Sequence, residues 1–217
     1  LINVDQAAYH DVTAVTGEVN YTEDRLPCDD NDPLRNLYFG DLHVHTARSF
    51  DAHAYDVRTS PVEAWGFAQG DEVRLPPLDE NGEGTRAVRL RAPLDFAAIT
   101  DHQEYIAEVE LCTVKGTSAY DTSLCRRYRE GGEGMAVEFG YQLTKKNPVR
   151  FSEICGAQDV DCTETAAAVW SDIVDAAEAN NDSTSRCRFS AFAAYEYTTS
   201  MPSMANNHRN VIFRNAQ

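Results

Sequence analysis

Two histidines one residue apart, His43 and His45, stand at the end of an apolar run. On an extended strand, residues i and i+2 point to the same face, so both imidazoles can reach one metal ion. An H-x-H pair alone is common, and two such histidines can equally be hydrogen-bonded core residues. Their company gives them weight. A second apolar run, residues 94–100, ends in Asp101 and His102; a third, residues 189–198, carries Glu196; and His208 follows. Four of the six histidines therefore lie near the ends of predicted strands. Asp51, six residues beyond His45, comes within reach if the intervening segment folds back.

Imidazole and carboxylate donors without a thiolate suit Zn, Mn or Fe rather than a structural thiolate site. A carboxylate such as Glu196 can bridge two ions. Paired cations lower the pKa of a shared water and clamp a phosphoryl or carbonyl oxygen. That is hydrolytic chemistry.

The elements that must position these groups follow from the hydrophobic pattern. Residues 37–45 read as a buried strand. Ser60-Pro61-Val62-Glu63 is a helix start, with Ser as cap and Pro at the first position, and Gly70 is a stop. A turn at residues 81–84 separates two short segments, 73–75 and 87–90, which predicts a hairpin. Residues 112–162 are mixed and polar and read as an insertion without regular elements. Residues 163–180 form the clearest helix, with Ala166, Val169, Trp170, Ile173, Val174 and Ala177 at helical spacing. Residues 211–213 are a final short strand. Residues 1–35 read as an irregular arm, and residues 36–217 as the domain that carries the chemistry. Strands alternating with helices favour an α/β fold with a mostly parallel sheet, in which ligands gather at the carboxyl ends of the strands.

Composition excludes several classes. Acidic residues outnumber basic ones 35 to 19, for a net charge of −16, which argues against a nucleic-acid partner. No apolar stretch is long enough to span a membrane. Six cysteines without a C-x-x-C pair suit disulfides in an oxidising compartment, with buried free thiols as the other reading. Cys155 with Cys162, and Cys112 with Cys125, would each staple a short loop. The first residue is Leu1 rather than Met, which a removed leader or a truncation would explain.

The motif set as a whole resembles a known group. His43-Val44-His45-Thr46 with Ser49 and Asp51, then Ile99-Thr100-Asp101-His102, then Tyr195-Glu196-Tyr197, then His208, resembles the PHP (polymerase and histidinol phosphatase) superfamily. Residues 38–46, 93–96 and 208–214 look more narrowly like its DUF3604 branch. The resemblance implies the amino-terminal part of a distorted PHP-type (β/α)7 barrel with loop insertions. It also implies two or three divalent metal ions at the barrel mouth. His43, His45, Asp51, His102, Glu196 and His208 would be the metal ligands, with Glu196 bridging. Asp101 would orient a ligand or a water. Arg48 and Arg209 lie beside motif residues and would meet an anionic substrate, although an ordinary surface salt bridge explains either one. The family pattern adds a later histidine and an Asp-x-His, and neither occurs after His208.

The expected activity is therefore that of a metal-dependent hydrolase, a phosphoesterase above all, using a metal-activated water on a small phosphorylated or other anionic substrate. The rest of its own polypeptide or a companion chain would complete the barrel. Secretion or a periplasmic location fits the cysteines. The competing class is a non-catalytic structural or interaction component of an extracellular assembly built on a PHP-like fold.

Overall fold

The computed structural model describes residues 27–30, 36–145, 147–156, 160–200 and 206–214. The arm expected over residues 1–35 lies outside the described residues except for 27–30. In chain order the elements are β1 (Gly40–Val44), α1 (Phe50–Ala54), α2 (Pro61–Ala68), β2 (Val73–Leu78), β3 (Gly84–Val88), β4 (Phe96–Ile99), α3 (Ile106–Thr113), α4 (Ser123–Glu130), α5 (Glu133–Leu143), α6 (Cys162–Asn180), β5 (Ser190–Ser200) and β6 (Asn206–Ile212).

The fold is mixed α/β. The main sheet has the order β1-β4-β5-β6; β1, β4 and β5 are parallel, and β6 runs antiparallel to β5. The sheet curls enough for the Asn210 side-chain amide on β6 to donate to the Leu42 carbonyl on β1, 2.8 Å away. Helices α2 and α6 cover one face, where Trp65, Ala97, Ile99, Val169, Ile173 and Ala193 form a core. The fully buried Trp65 indole donates to the Ala97 carbonyl at 3.2 Å, which satisfies its N–H inside that core. The start of α2 is fixed as the sequence predicts. Ser60 and Glu63 form a reciprocal capping box, Pro61 opens the helix, and Gly70 follows it with a positive φ of 102°.

Three expectations need correction. The apolar run at β1 is not buried: Leu37, Phe39 and Leu42 are 74%, 63% and 43% exposed. The reason is its edge position. Among the described residues β1 pairs only with β4, and its other edge meets β6 through the Asn210 side chain rather than a paired strand.

Residues 112–162 are not irregular. They hold α4 and α5, and Leu124, Tyr128, Phe139 and Ile154 pack there with Phe50 and Tyr105 as a second core. The disulfides Cys112–Cys125 and Cys155–Cys162, paired as expected, pin this unit to α3 and α6. Cys28 and Cys187 form the third disulfide, so all six cysteines are used, which fits an oxidising compartment.

The last strand also begins earlier than residue 211, at Asn206. The hairpin does form: β2 and β3 pair antiparallel as a separate two-stranded sheet. Among the described residues no helix is long and apolar enough to cross a membrane.

Candidate metal centre

The carboxyl ends of the parallel strands bring the polar residues together. His43 lies in the last turn of the pleat of β1, and His45 just beyond it. Asp101 and His102 follow β4, and His102 bridges to Glu196 in parallel register. Side chains alternate along a strand, so Glu196 and Thr198 share one face of β5. In the antiparallel pair their partners are Asn210 and His208, which therefore look the same way. The opposite face carries Tyr195, which packs with Trp170 and Phe213 on the α6 side. One sheet face is thus committed to packing and the other to the site.

Glu196 is the hub. Its Oε2 lies 2.7 Å from His45 Nε2, 2.9 Å from His43 Nε2 and 3.9 Å from His102 Nε2, while its Oε1 contacts His208 Nδ1. The two nitrogens of His43 and His45 are 3.2 Å apart. Three overlapping triads result: His43, His45 and Glu196; His45, Asp51 and His102; and His102, Glu196 and His208. Donors about 2.0–2.1 Å from a tetrahedral ion stand about 3.3 Å from each other. The observed separations approach that figure, so the first triad fits a shared cation. Burial is graded across the site. Glu196 and His102 are 1% and 4% exposed, whereas the side chains of His43 and His208 are 59% and 49% exposed. The cluster therefore has a dry floor and an open rim.

Outer contacts aim the donors. Asp51 Oδ1 is within 3.2 Å of His45 Nδ1 and also accepts from the Ser49 hydroxyl and the Ala52 amide. With Oδ1 so occupied, Oδ2 is left facing His102 Nε2 at 3.7 Å. Behind His102, Nδ1 meets Thr198 Oγ1 at 3.2 Å and Glu104 Oε2 at 3.4 Å. A carboxylate that holds the far N–H of a histidine fixes the tautomer whose other nitrogen can bind metal.

The charges are coupled. Burial alone would lower the His45 pKa, but the Asp51 hydrogen bond and charge, with Glu196, raise it to about 8. Against burial, His45 and Ser49 hold Asp51 well below the usual carboxylate range. Glu196 is also held low, by its histidines, despite its burial. Asp101 goes the other way: burial pushes it to about 6, although Thr46 donates both its amide and its hydroxyl to it.

Residues 32–217 match the model of a family described as Protein of unknown function (DUF3604). The chain belongs to the DUF3604 family. No curated protein and no solved structure matches it.

In this DUF3604 chain the six residues read as metal ligands all meet in the three triads. The two read as catalytic do not join them. Asp101 is buried behind the cluster with its carboxylate turned to Thr46, where it fixes the turn that follows His45. Arg209 is exposed on β6 opposite Tyr197, on the strand face that His208 does not use. Arg48 pairs with Glu110. Glu104, Thr198, Ser49 and Thr46 were not read from the sequence. Only Ser49 and Thr46 carried a signal, as members of the motif around His45.

Proposed function

We propose that this protein binds two or three divalent ions, Zn, Mn or Fe, and is a metal-dependent hydrolase of the PHP type, a phosphoesterase above all. The observation that carries the reading is the convergence of six imidazole and carboxylate donors in three overlapping triads, with the Glu196 carboxylate common to two of them. Bound there, the ions would supply Lewis-acid charge and a water acidic enough to attack near neutral pH. The chain's own residues do the rest. Asp51 holds the Nδ1 side of His45, and Thr198, with the Glu104 charge nearby, holds that of His102, so both Nε2 atoms stay directed into the site. The floor of Glu196 and His102 excludes water from one side, and the exposed His43 and His208 leave the other side open to substrate.

The phosphoester class rests on the PHP resemblance; the same arrangement would also serve a lactone or an amide. We further propose that additional polypeptide, its own or a companion chain, covers β1 and extends the sheet towards a (β/α)7 barrel. The exposed Leu37, Tyr38, Phe39 and Leu42 support this, since a run of four large apolar side chains is costly to leave in water. Secretion or periplasmic residence is consistent with the three disulfides.

The test is a panel of phosphomonoesters, phosphodiesters, lactones and amides offered to metal-loaded protein and to Glu196→Gln. Turnover that Glu196→Gln loses supports the hydrolase. A protein that holds its metals yet turns over nothing in the panel contradicts it and favours a non-catalytic role.

A further inference from the structure

Beside α1 lies a cleft of about 500 Å³ whose walls include Arg48, Arg58, Arg129, His53, Glu110 and Ser60. None of the six metal-site residues lines it. Three arginines and one carboxylate line it, in a chain whose net charge is −16. Guanidinium does not lose its proton in proteins, so this wall stays cationic at any physiological pH.

The arginines are only partly used. Arg129 makes its hydrogen bonds through Nη1 alone, to the carbonyls of Cys112 and Tyr120 at 2.7 Å each, with its guanidinium over the Tyr120 ring. Its Nε and Nη2 have no partner among the described residues. Arg48 gives Nη1 to Glu110 and has only the distant, exposed Asp172 near Nη2, at 4.0 Å. Arg58 braces the His53 and Val57 carbonyls and reaches Asp56. His53 belongs to the same wall. It is 5% exposed, its ring stacks on Tyr128, and its Nδ1 is buried with no hydrogen-bond partner among the described residues. A buried polar atom left unpaired is costly, and such exceptions are few in folded proteins.

We propose that this cleft binds a small molecule bearing a tetrahedral oxyanion, a phosphate or sulfate group. The anion would take the open guanidinium donors and compete with Glu110 for Arg48. Bidentate guanidinium recognition suits phosphate and sulfate, whose several oxygens can engage the open donors of Arg129 and Arg48 together. The site is independent of the hydrolase reading. Its segment is not, because Arg48 and His53 flank Asp51 in sequence and an occupant would steady that stretch.

The experiment is calorimetric titration of chelator-treated protein with inorganic phosphate, sulfate, glycerol phosphate and acetate. Removing metal first keeps phosphate from reporting on the histidine cluster. Saturable binding of phosphate, sulfate or the ester, with acetate at least tenfold weaker, is expected. Arg48→Gln should weaken it at least tenfold. Glu110→Gln, which keeps the shape of the side chain and frees Arg48, should tighten it severalfold. Arg127→Gln, in an exposed pair with Glu138, should leave it unchanged. Tight binding by glycerol phosphate but not inorganic phosphate would place the site with esters rather than the free ion. Absence of saturable binding, acetate binding as tight as phosphate, or an affinity that neither Arg48→Gln nor Glu110→Gln changes would overturn the proposal.

Discussion

Glu196 Oε2 lies 2.7 Å from His45 Nε2, across 151 positions of sequence. The contact joins the third parallel strand to the end of the first, and His43, His102 and His208 gather around the same carboxylate. A carboxylate 1% exposed at the centre of four imidazoles is stable when protons or cations occupy the nitrogens. The predictions below separate those occupants.

The supporting carboxylate behind His102 should matter for metal without touching it. Glu104→Gln removes the charge that faces His102 Nδ1 at 3.4 Å and keeps the volume. Metal affinity, measured by competition with a chromophoric chelator, should fall about 10- to 100-fold. Unchanged affinity would show that Glu104 only accepts the Thr198 amide.

Metal binding should depend on pH through His45. Its pKa is about 8, so below pH 8 an incoming ion must displace a proton. Apparent affinity should drop as pH falls, by about tenfold per unit for this one proton. In metal-free protein, the stabilisation from protonated His45 is complete below its ordinary pKa of about 6.5 and is lost as pH rises through about 8. Asp51 and Glu196 work in the opposite sense. Their folded pKa values are depressed, so their contribution is present above about pH 4 and is lost at lower pH. Thermal melts of metal-free protein should show stability falling at both ends. A flat profile from pH 6 to 9 would exclude the His45–Asp51 coupling.

The unit built from α4 and α5 should stabilise the protein measurably. Phe139 is fully buried and its ring contacts those of Phe50, Tyr105, Tyr128 and Phe151. Phe139→Ala should cost about 3–5 kcal/mol. Replacing Cys112 and Cys125 together by Ala opens a loop with a sequence separation of 13 and should cost about 3 kcal/mol. Chemical denaturation of each variant checks both figures; losses below about 1 kcal/mol would mean that this region does not form a core.

The centre was legible in the sequence to the extent that rare residues ended apolar runs. His43, His45 and His102 stand where predicted strands stop, and Glu196 interrupts one. Their outer partners were not legible, because Glu104 and Thr198 are single polar residues without period or motif. Helix α3 hid for a different reason. Ile106, Ala107, Glu108, Val109, Leu111 and Cys112 are all buried, so the segment shows no polar face to betray its turn. Five-residue α1 is too short for any periodicity. The direction of β6 could not be read from three apolar residues, but it follows from the length of the connection. With β5 ending at Ser200 and β6 starting at Asn206, only an antiparallel return fits. Exposure of β1 could not be read either, since apolar composition says what ought to be covered and not what covers it.

The most direct test of the metal centre is elemental mass spectrometry of the protein as isolated, without added metal or chelator, beside Glu196→Ala and His45→Ala. Two or more equivalents of Zn, Mn or Fe per chain, falling below one in either variant, are expected, because both residues belong to more than one triad or bridge between them. A wild-type protein that carries no transition metal and takes up none on dialysis against each ion would contradict the account.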